Sequence, residues 1–158
     1  MRYVQTREII PEVDQSFLFE LYASTRQNEM MLWGWDNQQQ IEFLLIQYRA
    51  QQQSYEQQYP NLYKLLISVK SENAGRVLID HSQSCLTLVD ISLLPKFRGS
   101  GIGTKLIKEL QHEAAKNKIS IRLTVRPDNP ALKLYKRLGF HVIDGNDINI
   151  YMEWKSLK

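Results

Sequence analysis

The stretch from Leu93 to Thr104 constrains this chain most. Gly99, Gly101 and Gly103 alternate there, with Arg98 just before them. The residues ahead, Leu86 to Leu93, read as a buried strand; those behind, Lys105 to Lys116, read as an amphipathic helix. A glycine-rich backbone that turns from strand to helix brings free N–H groups and the positive end of a helix dipole together. That combination suits an anion, and a guanidinium at its lip strengthens it. The first expectation is therefore a seat for phosphate or pyrophosphate. A tight turn without a ligand is the bland alternative. A P-loop is excluded, because no Lys-Ser/Thr pair follows Gly103 in frame. A dinucleotide fingerprint is excluded too: its third glycine would come later, and no acidic residue ends the next strand near Ser120 to Thr124.

Bulk properties narrow the class. The chain has 158 residues, a net charge of +3, 43% apolar and 23% charged residues. That predicts one domain over 1–158 with a substantial core. The charge is too small and dispersed for a nucleic-acid binder, and no apolar run would span a membrane. The single cysteine, Cys85, forms no internal disulfide, so a reducing, cytoplasmic setting is expected. Cys85 itself reads as a small turn residue.

Taken in order, Tyr3 to Ile9 reads as a strand. Pro11 to Arg26 reads as a helix capped by Asp14, with Phe17, Leu18, Leu21 and Tyr22 on one face. Gln27 to Asp36 reads as an irregular loop holding Trp33 and Trp35. These two rings either plug the core or line a pocket. Asp36 caps a long helix, Asn37 to Gln58, with Ile41, Leu44, Leu45 and Tyr48 buried and a glutamine-rich solvated face that includes Gln51 and Gln52. Leu62 to Val69 and Arg76 to His81 form a hairpin, with Gly75 ending its turn. Leu86 to Leu93 adds a third antiparallel strand. After the helix, Ile119 to Val125 is the second strand of a parallel crossover. Asn129 and Pro130 start a short helix, Ala131 to Leu138, stopped by Gly139. Phe140 to Ile143 and Ile148 to Trp154 close the chain as a hairpin. His81 reads as a turn-side histidine. Asp90 interrupts an apolar strand, and needs a partner or a wet cleft.

Three segments resemble the GNAT acetyltransferase superfamily. Arg98 to Gly103 fits its Arg/Gln-x-x-Gly-x-Gly/Ala motif. Asn129 to Tyr135 fits its second motif, and Tyr135 to Phe140 its Tyr-x-x-x-Gly-Phe ending. The likeness is strong over Leu86 to Trp154; before His81 only the layout agrees. The resemblance implies an α/β (α+β) fold, with a mixed central sheet of about seven strands, about four flanking helices, and a splay between two parallel central strands. It implies acetyl-CoA as donor, an amine as acceptor, no metal, and direct attack in a ternary complex. By this resemblance Arg98, Gly99, Ser100, Gly101, Ile102, Gly103 and Thr104 hold the pyrophosphate. Ile91, Ser92 and Leu93 meet the pantetheine arm and the thioester carbonyl, while Asn129 and Ala131 flank the arm. Lys133 or Lys136 either meet adenosine phosphates or form a solvated face. Tyr135 is the expected acid.

The base is open. Relatives carry a Glu at the position of Thr87, which cannot serve. Asp90 is the nearest carboxylate, but it would face the other side unless a bulge intervenes. Water, Glu29, His81 and Tyr151 stay as alternatives. Glu29, Met30, Trp33, Trp35 and Tyr151 are the expected acceptor residues. A non-catalytic acyl-CoA-binding module on the same fold is the second functional reading, and an interaction protein built on the glutamine-rich helix the third. Dimerisation through the last strands or the long helix is left open.

Overall fold

The computed structural model describes residues 3–31 and 33–156, with the backbone alone over 27–31. Its elements run β1 (Val4–Glu8), α1 (Pro11–Met31), α2 (Asn37–Gln58), β2 (Leu62–Val69), β3 (Glu72–His81) and β4 (Cys85–Leu93). After a 3-10 turn at Pro95–Phe97 come α3 (Ile102–Asn117), β5 (Ser120–Val125), α4 (Ala131–Arg137), β6 (His141–Gly145) and β7 (Ile150–Trp154). All seven strands join one sheet in the order β1-β2-β3-β4-β5-β7-β6. Only β4 and β5 run parallel. Four helices flank this mixed sheet, as expected.

The two sheet faces differ. Ile79, Leu86, Leu88, Ile121, Leu123 and Met152 pack with Ile102, Leu106 and Ile107 of α3 and Tyr135 of α4 in one core. Leu18 and Tyr22 of α1 pack with Leu44 and Tyr48 of α2 in a second, smaller cluster. α1 therefore pairs with α2 beside the opposite face.

Several local expectations change. α1 extends to Met31, so the first half of the expected loop is helical. Asp14 is not its N-cap. It lies one turn inside, where its buried carboxylate accepts two hydrogen bonds from Arg7 (2.7 and 2.8 Å) and one from the Ile10 N–H (2.8 Å). Asp36 does cap α2, through a capping box with Gln39. Ile41, however, is exposed, and the inward stripe of α2 continues from Leu44 and Tyr48 to Gln51, Gln52 and Tyr55. Two of the glutamines assigned to solvent thus face the sheet, because a stripe at 3.6-residue spacing passes through them. Gly75 lies inside β3, not in the hairpin turn; Lys70 and Ser71 make that turn at positive φ. A Cβ on Gly75 would lie 2.0 Å from the Ser92 carbonyl oxygen, so only glycine lets β3 approach β4 there.

One irregularity organises the molecule. In the β3–β4 ladder Leu78 faces Asp90 but Ile79 faces Leu88, so Val89 is an extra residue, a bulge. The parallel β4–β5 ladder runs from Cys85/Ser120 to Leu88/Leu123 and stops at that bulge. Beyond it β4 pairs only with β3, and β5 only with β7. The two central strands are splayed from this point.

Candidate active site

The splay opens into a cavity of about 930 Å³. Each wall is set by a local feature of the chain. β4 supplies Asp90, Ile91, Ser92 and Leu93. Without the bulge Asp90 would share the core face with Leu88; with it, Asp90 turns to the α1/α2 side and Ile91 to the core side. The backbone also matters. The Leu94 N–H donates to the Ala74 carbonyl at 2.8 Å. Leu93 opposite Gly75, and Ile91 opposite Val77, therefore occupy the non-hydrogen-bonded positions of the ladder, with backbone polar groups aimed at the gap. The Leu93 carbonyl there accepts from Arg98 Nε at 2.9 Å.

The glycine-rich turn forms the next wall. Gly99 and Gly101 take φ of 73° and 84°, left-handed values that a side chain resists. They fold the chain from the 3-10 turn into α3. Gly101 is the N-cap and no side chain caps the first turn, so the leading N–H groups of α3 are open to a ligand. Arg98 and Gly103 reach the cavity wall. Gly99, Ser100, Gly101 and Thr104 do not, and Gly101 and Thr104 border a shallower depression on α3. The Ile102 side chain is buried in the core, leaving its backbone as the part that can serve. Ser100 Oγ donates to the Phe97 carbonyl, which stiffens the turn.

The loop after β5 and the start of α4 close a third side with Asn129, Ala131 and Tyr135. Asn129 Oδ1 accepts from the Ala131 N–H at 2.9 Å and so starts α4. Tyr135 is 7% exposed, with its ring 5.8 Å from that of Phe140. Burial first, and then the Asp90 charge, push its phenol up to about 12. It is therefore a neutral hydroxyl throughout the physiological range. Lys133 and Lys136 are exposed and outside the wall.

The fourth side comes from α1, α2 and β3: Tyr22, Thr25, Arg26, Gln51 and Arg76. Arg76 and Gln51 were not among the residues the sequence singled out for the site. Arg76 is 5% exposed; its Nε donates to Asp90 Oδ2 at 2.9 Å and its Nη2 to Gln51 Oε1 at 3.1 Å. Ser92 Oγ donates to the same carboxylate at 2.9 and 3.0 Å. Asp90 thus has both a partner and a wet cleft. An alternating apolar strand with one arginine beside one aspartate across a hairpin was the signal available.

Other expected residues fall elsewhere. The side chains of Glu29 and Met30 lie outside the described residues. Trp33 and Trp35 are 48% and 38% exposed and stack edge-on against each other and against Phe43. They neither plug the core nor reach the cavity wall. Tyr151 lies on β7 between Thr124 and Asp144, also off the wall. His81 stacks on Tyr63 at 4.3 Å and sits 3.6 Å from Glu113, away from Tyr135 and Asp90. Among the described residues no group of His, Cys, Asp and Glu is placed to hold a metal, and no helix is long and apolar enough to cross a membrane.

Known proteins match this architecture. Solved structures covering nearly the whole chain include the PaiA N-acetyltransferase of Thermoplasma acidophilum in complex with coenzyme A. It is 20% identical over 97% of this chain and 99% of that one, with a TM-score of 0.71. Ard1 of Thermoplasma volcanium matches at 18% identity over 99% of both chains, TM-score 0.63. The N-acetyltransferase PseH of Campylobacter jejuni, in complex with acetyl coenzyme A, matches at 15% over 97% of this chain and 99% of that one, TM-score 0.60. At these identities the likeness is one of fold. No curated protein matches the sequence. The family model for the acetyltransferase (GNAT) domain covers residues 36–150, from the cap of α2 through the glycine-rich turn to β7. On that match the chain belongs to the GNAT acetyltransferases.

Proposed function

We propose that this chain transfers an acetyl group from acetyl-CoA to an amine by direct attack within a ternary complex. One observation carries the reading: a single cavity joins an uncapped helix N-terminus, an unpaired strand edge, a protonated tyrosine and a carboxylate.

The roles follow from placement. The open N–H groups of α3, with Arg98 beside them, bind the pyrophosphate. The gap-facing backbone of Ile91 and Leu93 pairs with the pantetheine arm as an added strand would. The Ile91 N–H is aimed at the gap where it polarises the thioester carbonyl. Asn129 and Ala131 line the arm's other side. Asp90 keeps lone pairs beyond those used by Arg76 and Ser92, and takes one proton from the incoming ammonium, which frees the nitrogen lone pair for attack. The N–C bond forms, the C–S bond breaks, the electron pair leaves on sulfur, and the second nitrogen proton passes to solvent.

Tyr135 meets that sulfur. Magnitudes decide how. A thiol ionises near 8.5, so full transfer from a phenol at about 12 is uphill by about 5 kcal/mol. Tyr135 therefore stabilises the leaving thiolate by hydrogen bonding, and solvent protonates it later. Steady-state turnover of acetyl-CoA with a broad amine panel tests the function. Tyr135→Phe should lower kcat about 100-fold with acetyl-CoA affinity retained, the loss of one well-placed donor. Coenzyme binding with no turnover of any amine would favour a non-catalytic acyl-CoA-binding module instead.

A further inference from the structure

We propose that the acceptor is a small amino acid, an amine and a carboxylate in one molecule, and that Arg26 binds the carboxylate. The inference rests on the acetyl-transfer reading and names its second substrate.

The coenzyme takes the side of the cavity made by α3 and α4. What is left is walled by α1, α2, β3 and β4. The charged groups there are Arg26, Arg76 and Asp90. Arg76 and Asp90 form a buried pair at 2.9 Å, with Gln51 taking a further N–H of Arg76. Their charges cancel. Arg26 has no acid at ion-pair distance among the described residues. Its guanidinium lies over the Tyr22 ring, 5.1 Å from the centroid. A guanidinium in contact with a ring face can still offer two N–H groups to a carboxylate as parallel hydrogen bonds.

Among the described residues the acceptor wall therefore carries one positive charge with no ion-pair partner, that of Arg26. A polyamine or a lysine-like side chain would bring a second cation to it, in a partly desolvated cavity where like charges repel strongly. A zwitterion fits both ends. Its ammonium meets Asp90, which takes one proton so that the free amine can attack, and its carboxylate meets Arg26. Thr25, one residue back on α1, lines the same wall, but its hydroxyl donates to the Tyr22 carbonyl at 2.7 Å, which leaves Arg26 as the carboxylate's donor on this helix.

Matched pairs test this. Each of several L-amino acids and its carboxamide is assayed with acetyl-CoA, together with a diamine, while acetyl-CoA binding is followed by calorimetry. The carboxylate of each pair should be used at least tenfold better in kcat/KM. Arg26→Gln should raise KM for the carboxylate at least tenfold and leave the carboxamide KM and the acetyl-CoA KM unchanged, with Arg26→Lys recovering part of the loss. Equal use of carboxamides or diamines by the native protein, or an Arg26→Gln variant with unchanged carboxylate KM, overturns the inference and leaves acetyl transfer standing. Calorimetric binding of acetyl-CoA without turnover of any of these amines overturns the inference alone; only failure across the broad amine panel overturns acetyl transfer as well.

Discussion

Tyr135 shows how one buried side chain couples the site to stability. Its phenol keeps its proton up to about 12, chiefly because burial disfavours the anion. Tyr55 is held at about 12 for the same first reason. The sign of the stability effect follows from proton counts. Between pH 10 and 12 the unfolded chain loses these protons while the folded chain holds them. Each phenol then removes about 1.4 kcal/mol of stability per pH unit across that window, and nothing below it. Burial also raises Tyr48 and Tyr59, and Tyr135→Phe removes one of these contributions. Urea denaturation at several values from pH 9 to 11.5 should show a shallower alkaline loss in the variant than in the native protein. Parallel losses would mean that Tyr135 is less buried than its 7% exposure indicates. The same proton predicts that the pH profile of kcat shows no alkaline limb from Tyr135 below pH 10.

At the scale of elements, the sequence disclosed what depends on neighbours in the chain. The Gly99–Gly103 turn, the Asp36 cap and the crossover through α3 are local chemistry, and the structure has all three. It did not disclose what depends on register. A bulge at Val89 leaves no mark in an apolar strand, so the side on which Asp90 emerges could be stated only conditionally. The Arg76–Gln51 contact joins β3 to α2 across 25 positions, and no pattern within either element points to it. Trp33 and Trp35 were conspicuous as residues, yet their packing against Phe43 at the surface is set by where α1 ends. The bulge itself can be tested. Deleting Val89 leaves Leu88 and Asp90 on opposite faces by simple alternation, so the core residue and the cavity residue keep their sides. The extra residue is lost, and β4 can continue its ladder with β5 past Leu88. The variant should melt cooperatively but bind acetyl-CoA at least tenfold more weakly in calorimetry. A folded deletion variant with native coenzyme affinity would show that the splay does not need the bulge.

Across the whole molecule, two apolar clusters of unequal size carry the site between them. The large one joins the sheet to α3 and α4, the side proposed for the coenzyme. The small one joins α1 to α2, the side proposed for the acceptor. The smaller layer has few buried residues, and it is fastened to the sheet by polar contacts: Arg7 with Asp14, the Ile9 N–H with the Lys64 carbonyl, and Gln51 with Arg76. A layer held this way opens at lower free energy than the core beneath it. Hydrogen exchange at pH 7 should show α1 and α2 amides exchanging ahead of β4, β5 and α3. Asp14→Asn should speed exchange in α1 and α2 while β5 and β7 keep theirs. The Arg7 hydrogen bonds hold the Asp14 carboxyl below its ordinary value of 3.8. A depressed carboxylate contributes its stability in full above that ordinary value and loses it as pH falls through the folded one. The native protein should therefore exceed Asp14→Asn in stability most at neutral pH, and the difference should shrink once the pH drops below about 3.8. A difference that persists at acid pH would assign the role of Asp14 to packing, and the polar fastening of this layer would then lie in the Ile9–Lys64 and Gln51–Arg76 contacts.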